Sequence, residues 1–206
     1  MKRALGTLAA ITIFAFLFVV ARPAMSGEPT EQLKGTIDRV LVILQDGSLK
    51  GSKNKGPRRA ALSKAVSNSF SFKEMGRRSL GKNWKNTTTE EKKAFVSAFK
   101  NLIQNSYFSK MEQYTDEKII YDNEKMTGKN STVKTLVITT SGTEIPIDYR
   151  MKINKKGKWM VYDIIVEGIS LVSNYRSSFA AELKKGNIGK LTASLEKKSL
   201  EEEAAK

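Results

Sequence analysis

Trp159-Met160-Val161-Tyr162-Asp163-Ile164-Ile165-Val166-Glu167-Gly168-Ile169-Ser170-Leu171-Val172-Ser173-Asn174-Tyr175-Arg176 is the stretch whose reading decides the fold. Residues 159–166 are mostly β-branched or aromatic, which suits a pleated, buried surface. In an unbroken strand Met160, Tyr162, Ile164 and Val166 share one face. Trp159, Val161 and Ile165 share the other, interrupted by Asp163 and Glu167. A strand apolar on both faces has something packed against each side of its sheet. Gly168 marks a sharp corner, and from Val172 the period lengthens to that of a helix, with Val172, Tyr175, Phe179 and Leu183 on one stripe. Such a junction builds one wall of an apolar cavity, or it is an ordinary core strand feeding an ordinary helix. The residues alone leave both readings open.

Upstream the period is two. Candidate strands cover 117–126, 131–140, 144–153 and 158–166, and the turns between them hold Gly128, Ser141-Gly142 and Lys155-Lys156-Gly157. Short glycine-containing connections make hairpins, hence an antiparallel meander. Ile145, Ile147, Tyr149, Met151 and Ile153 alternate with Pro146, Asp148, Arg150 and Lys152, giving that strand one buried and one wet face.

Helices flank the meander. Leu33, Ile37, Val40, Leu41 and Leu44 form one stripe over 30–46. A basic loop spans 47–57, and Pro57 suits the first turn of the next helix. Ser71-x-x-Glu74 reads as a capping box, stapled by Phe70 and Met75, for a short helix ending near Gly81. Thr88-x-x-Glu91 opens the longest helix, about 89–113, whose buried side carries Phe95, Phe99, Leu102, Ile103 and Tyr107. Two helices, 169–185 and 187–200, close the chain, and the charged tail 201–206 is expected to fray. The order predicts an α+β domain over 27–200: a four-stranded antiparallel curved sheet wrapped by N- and C-terminal helices, enclosing an apolar pocket.

Residues 1–26 read as a cleaved secretory signal: Lys2 and Arg3, an apolar run from Leu8 to Ala21, then Ala24-Met25-Ser26. The run is short of the roughly 20 residues a membrane span needs. Export with cleavage of this segment is therefore expected. The chain has no Cys and no His, which removes thiol nucleophiles, the Ser-His-Asp triad and His-ligated zinc. Its net charge is +15, or +12 for the part after Ser26. That excess suits an anionic partner, and nothing interleaves basic with aromatic residues as a nucleic-acid platform does.

Two segments together are similar to the MlaC family of periplasmic phospholipid carriers, also called toluene-tolerance proteins. One is the 159–176 stretch. The other runs from Phe70-Ser71-Phe72-Lys73-Glu74-Met75 through Leu80-Gly81-Lys82-Asn83-Trp84 to Thr89-Glu90-Glu91, with Phe95, Phe99, Leu102, Tyr107 and Tyr114 beyond it. The family opens this segment with Phe-Asp-Phe, and Ser71 replaces the Asp here while keeping the capping chemistry. The resemblance covers about residues 30–195. It implies a monomeric, non-enzymatic carrier without a cofactor, which holds phospholipid with the acyl chains inside. It also implies transient partners: an outer-membrane lipoprotein complex and an inner-membrane lipid transporter of the ABC type with a ring-forming lipid-binding subunit.

The resemblance and the alternation together place the lipid wall on Ile147, Tyr149, Met151, Tyr162, Ile164 and Val166 of the sheet. From the helices they add Phe99, Ile103, Tyr107, Tyr175 and Phe179. The basic loop Lys50, Lys53, Lys55, Arg58 and Arg59, with Arg77, Arg78 and Lys82, is the candidate partner-docking surface. The competing reading is a small α+β enzyme using Tyr and Asp as acid and base on an apolar substrate. Asp163 and Glu167 are the nearest carboxylate pair, yet strand rise separates four positions by roughly 13 Å, too far for a retaining pair. Pairing with a cation or with backbone N–H groups at the corner is the expected role of these acids.

Overall fold

Tight turns built on left-handed glycines make the meander. Gly128, Gly142 and Gly157 have φ of 57°, 82° and 76°, a region only glycine enters freely. The computed structural model describes residues 27–113 and 116–204, so the expected signal of residues 1–26 and Tyr114 lie outside the described residues. The strands are β1 (Lys118–Thr127), β2 (Asn130–Ile138), β3 (Glu144–Ile153), β4 (Trp159–Val166) and β5 (Ile169–Ser170), in that spatial order and antiparallel throughout. The sheet thus has five strands and not the four expected. The cause is the corner: Glu167 and Gly168 both have positive φ, 49° and 80°, the pattern of a type I′ hairpin. Val166 therefore pairs directly with Ile169, and the helix expected from 169 begins at Leu171.

A second correction concerns the faces of β4. Arg150 stands opposite Asp163 but Met151 opposite Val161, so Tyr162 is an extra residue in a bulge. A bulge reverses the alternation. Ile164 and Val166 consequently share a face with Val161 and Trp159, and not with Tyr162. That face is also the face of Ile147, Tyr149 and Met151. A bulge between Tyr121 and Asn123 acts likewise in β1 and brings Glu124 onto the same face as Tyr121.

The helices are α1 (Glu28–Gln45), α2 (Lys55–Ser67), α3 (Phe72–Leu80), α4 (Thr89–Met111), α5 (Leu171–Lys185) and α6 (Ile188–Ala204). Two 3-10 turns, Gly47–Leu49 and Ser52–Asn54, shape much of the expected basic loop, and α6 runs as a helix four residues into the expected tail. Thr88 and Glu91 form the full reciprocal capping box of α4. Only half of the box at Ser71 exists. Its Oγ accepts from the Glu74 N–H, but its own N–H donates to the Val161 carbonyl, 2.8 Å away. Glu74 is left to pair with Arg77 and Arg78. Through Val161 the 69–71 segment runs hydrogen-bonded beside β4.

Two apolar cores result. The larger joins α2, α3, α4, α5 and α6 around Phe95, Phe99 and Phe179, with Tyr162 reaching in from β4. The smaller lies between α1 and the sheet, where Leu33 packs with Val133, Met151, Trp159 and Val161. Partly buried Phe70 packs against both. α1 is tied to the sheet by Glu124, which accepts from the N–H and hydroxyl of Thr30 in its first turn, a favourable place for a carboxylate. The Gln32 side chain accepts from the Trp159 N–H.

Candidate functional site

Asp163 holds the strand–helix junction in place. Its side chain is almost fully buried and accepts from the Ser170 hydroxyl at 2.7 Å, the Val172 N–H at 3.0 Å and Arg150 at 3.3 Å. One carboxylate thus ties β3 and the first turn of α5 to β4, as the sequence reading expected of this residue. Glu167 stands exposed at the corner, where only its backbone bonds, to the Pro146 carbonyl.

The face of the sheet that α1 touches is mainly apolar, interrupted by Glu124, Ser131 and Thr135, and it is unevenly covered. At one end Val133, Met151, Val161 and Trp159 are 3% exposed or less beneath Leu33. At the other end the cross-strand rows Ile119–Val137–Ile145 and Tyr121–Thr135–Ile147–Val166–Ile169 occupy the same face. Ile119, Tyr121, Val137, Ile145, Ile147 and Val166 are only half-buried, and Ile169 is 68% exposed. Tyr149 and Ile164 lie between the covered and uncovered ends. Burial pushes the Tyr149 hydroxyl up to about 12. Tyr121 is raised further, by burial first and by the charge of Asp38 second, and its hydroxyl has no hydrogen-bond partner among the described residues. An apolar face left partly uncovered after folding is a surface with unspent burial energy, about 25 cal/mol for each Å².

The structure divides the expected wall. Met151, Tyr149 and Ile164 belong to the sheet core, while Ile147 and Val166 extend its uncovered end. Phe99, Ile103, Phe179 and Tyr162 are buried in the helical core, against which Tyr107 and Tyr175 pack. There the rings contact one another: Phe99 lies 4.9 Å from Tyr175 and 5.4 Å from Phe179, both edge to face. A cleft of about 470 Å³ opens beside Tyr175 and Phe179, but Lys198, Glu201 and Glu202 edge it. Ile119, Tyr121, Val137, Ile145 and Ile169, which share the uncovered end of this face, were not among the expected wall residues. Their alternation within β1 and β2 was legible, and a meander that buries one face of β3 must present the same face of β1 and β2.

The basic residues divide as well. Arg59 is 9% exposed and pairs with Glu112 at 3.6 Å. Arg58 donates to the Leu44 carbonyl, Arg77 bonds Glu74, and Arg78 both bonds Glu74 and lies 3.9 Å over the Tyr162 ring. Lys50, Lys53 and Lys82 remain fully exposed and Lys55 is half-buried.

The MlaC protein family model matches residues 34–197. The chain belongs to the MlaC family. It is 24% identical over 193 residues, 90% of each chain, to the intermembrane phospholipid transport system binding protein MlaC of Haemophilus influenzae. It is 28% identical over 99 residues to a toluene tolerance protein of Pseudomonas putida, covering 48% of this chain and 46% of that one. A phospholipid-binding protein of Ralstonia solanacearum, solved in complex with a phospholipid, shares the fold with a TM-score of 0.76 at 23% identity, over 85% of this chain and 99% of the other.

Proposed function

We propose that the protein is a non-enzymatic phospholipid carrier of the periplasm, moving lipid between the outer and inner membranes. The observation that carries the proposal is the pair of cross-strand rows, Ile119–Val137–Ile145 and Tyr121–Thr135–Ile147–Val166–Ile169, whose apolar side chains are left half-buried or exposed on one sheet face. The acyl chains lie on that face, which has apolar surface to cover and no charged side chain in its two uncovered rows, and the headgroup stays at the mouth. Extraction from a bilayer costs about 0.8 kcal/mol per CH₂ withdrawn, so two chains need roughly 20 kcal/mol of apolar shelter. The names of the Haemophilus and Ralstonia relatives support this reading.

The partners we assign are an outer-membrane lipoprotein complex and an inner-membrane ABC-type transporter with a ring-forming lipid-binding subunit. Contact is transient and salt-sensitive. Of the expected docking cations, Lys50, Lys53, Lys55 and Lys82 are available to a partner, because the arginines are held by the fold itself. Native mass spectrometry of the purified protein tests the proposal. Co-purified phospholipid in the wild type and its loss in a folded Ile164→Asp variant are expected. Empty wild-type protein under conditions that preserve lipid complexes contradicts it.

A further inference from the structure

Two neighbouring hairpin tips concentrate the positive charge of the sheet at one end. The β1–β2 and β3–β4 tips lie side by side: the Lys129 carbonyl accepts from the Ile153 N–H at 3.1 Å, and Asn130 stands opposite Lys152. Residues 125–130 carry Lys125 and Lys129, and residues 152–158 carry Lys152, Lys155, Lys156 and Lys158, with no acid in either segment. All six are exposed, and none is ion-paired among the described residues. The opposite end is the more acidic one: Glu117, Glu144 and Glu167 lie there, with Lys118 as the cation among them. The sheet is therefore polarised along strands about 30 Å long. A cleft of about 420 Å³ between the β3–β4 tip and α1 continues the positive surface through Arg39, with Glu31 as the one acid in its lining.

The chemistry of these tips selects the partner. An interface with an acidic protein is anchored by aromatic residues and by arginines in bidentate pairs. The tips hold neither an aromatic residue nor an arginine. They hold hydrated point charges on flexible stems, spread over two turns. That arrangement suits a diffuse sheet of negative charge, such as phosphate headgroups at a membrane surface.

We propose that the lysine end is a membrane-docking surface, which binds bilayers rich in anionic headgroups. It is separate from the uncovered apolar rows and from Lys50, Lys53, Lys55 and Lys82. It therefore stands or falls independently of the carrier reading.

Vesicle flotation tests it, with vesicles of phosphatidylethanolamine containing about a third phosphatidylglycerol against vesicles of zwitterionic lipid alone. Two charge-reversal variants of equal charge are compared. One carries Lys129→Glu, Lys155→Glu, Lys156→Glu and Lys158→Glu. The other carries Lys50→Glu, Lys53→Glu, Lys55→Glu and Lys82→Glu. Wild-type protein is expected to float with the anionic vesicles only. At roughly fivefold for each lysine, the tip variant is expected to bind at least a hundredfold more weakly, while the control variant stays within about threefold of wild type. Wild-type binding is also expected to fall steeply as salt rises from low to physiological strength, a readout that needs no variant. Equal loss in both variants, unchanged binding of the tip variant, equal binding to zwitterionic vesicles, or insensitivity to salt overturns the proposal.

Discussion

The helical half and the sheet half of this protein each gather an apolar cluster, and they differ in how far the chain itself covers it. Around Phe95, Phe99 and Phe179 every stripe finds another stripe, and the three rings are 1% exposed or less. On the sheet, Leu33 of α1 closes one end of the apolar face, while the apolar side chains of the rows from Ile119 to Ile169 stay half-buried or exposed. The difference separates two uses of the same residue types. A stripe that meets its complement within the chain is core. A stripe that folding leaves partly wet keeps its burial energy for something that arrives later.

Truncation tests the closed half, and the largest loss of stability is expected there. Phe99→Ala removes a fully buried ring with three aromatic neighbours and should cost about 3–5 kcal/mol in denaturant unfolding. A cost below about 1 kcal/mol would show that this core is loose and blur the contrast between the halves. Asp163→Ala comes next, at about 2–4 kcal/mol, because it leaves the Val172 N–H, the Ser170 hydroxyl and Arg150 without their shared acceptor. Near-wild-type stability in that variant would mean the junction is held by packing alone.

Much of this architecture is legible from residue patterns, and what is not has local causes. The meander followed from alternation and glycine turns, and the cap of α4 from Thr88 and Glu91. The sidedness of β4 did not, because the bulge at Tyr162 leaves no mark in composition and inverts every later position. The fifth strand was hidden for a related reason: Glu167 occupies a left-handed position usually given to Asn, Asp or Gly. The residues expected to form the lipid wall fall on two surfaces of the fold, because residue patterns do not show which element an apolar stripe packs against. Arg59 looked like a surface charge until Glu112, far along the chain, was seen to face it.

Smaller effects sharpen the comparison. Ile147→Asp, at a half-buried position in the uncovered rows, should change stability by no more than about 1 kcal/mol yet strip the protein of lipid. Strong destabilisation instead would place Ile147 in a closed core. The smallest effect belongs to Glu74, whose carboxyl is held below the ordinary value of 4.5 by its hydrogen bond to Arg77. A lowered folded value adds stability above 4.5 that disappears as pH falls through it. Glu74→Gln should therefore cost well under 1 kcal/mol at neutral pH and nothing in strong acid. An unfolding series from pH 7 to pH 2 checks this, and a cost that grows in acid would reverse the assignment.

The central claim is that acyl chains lie on the uncovered sheet rows and not among the helices. Intermolecular nuclear Overhauser effects between isoleucine δ1 methyls and the acyl chains of unlabelled phospholipid test it most directly. The account predicts contacts at Ile119, Ile145, Ile147 and Ile164, and none at Ile103 in the closed core. Acyl contacts at Ile103 with silence from the four sheet isoleucines would contradict it.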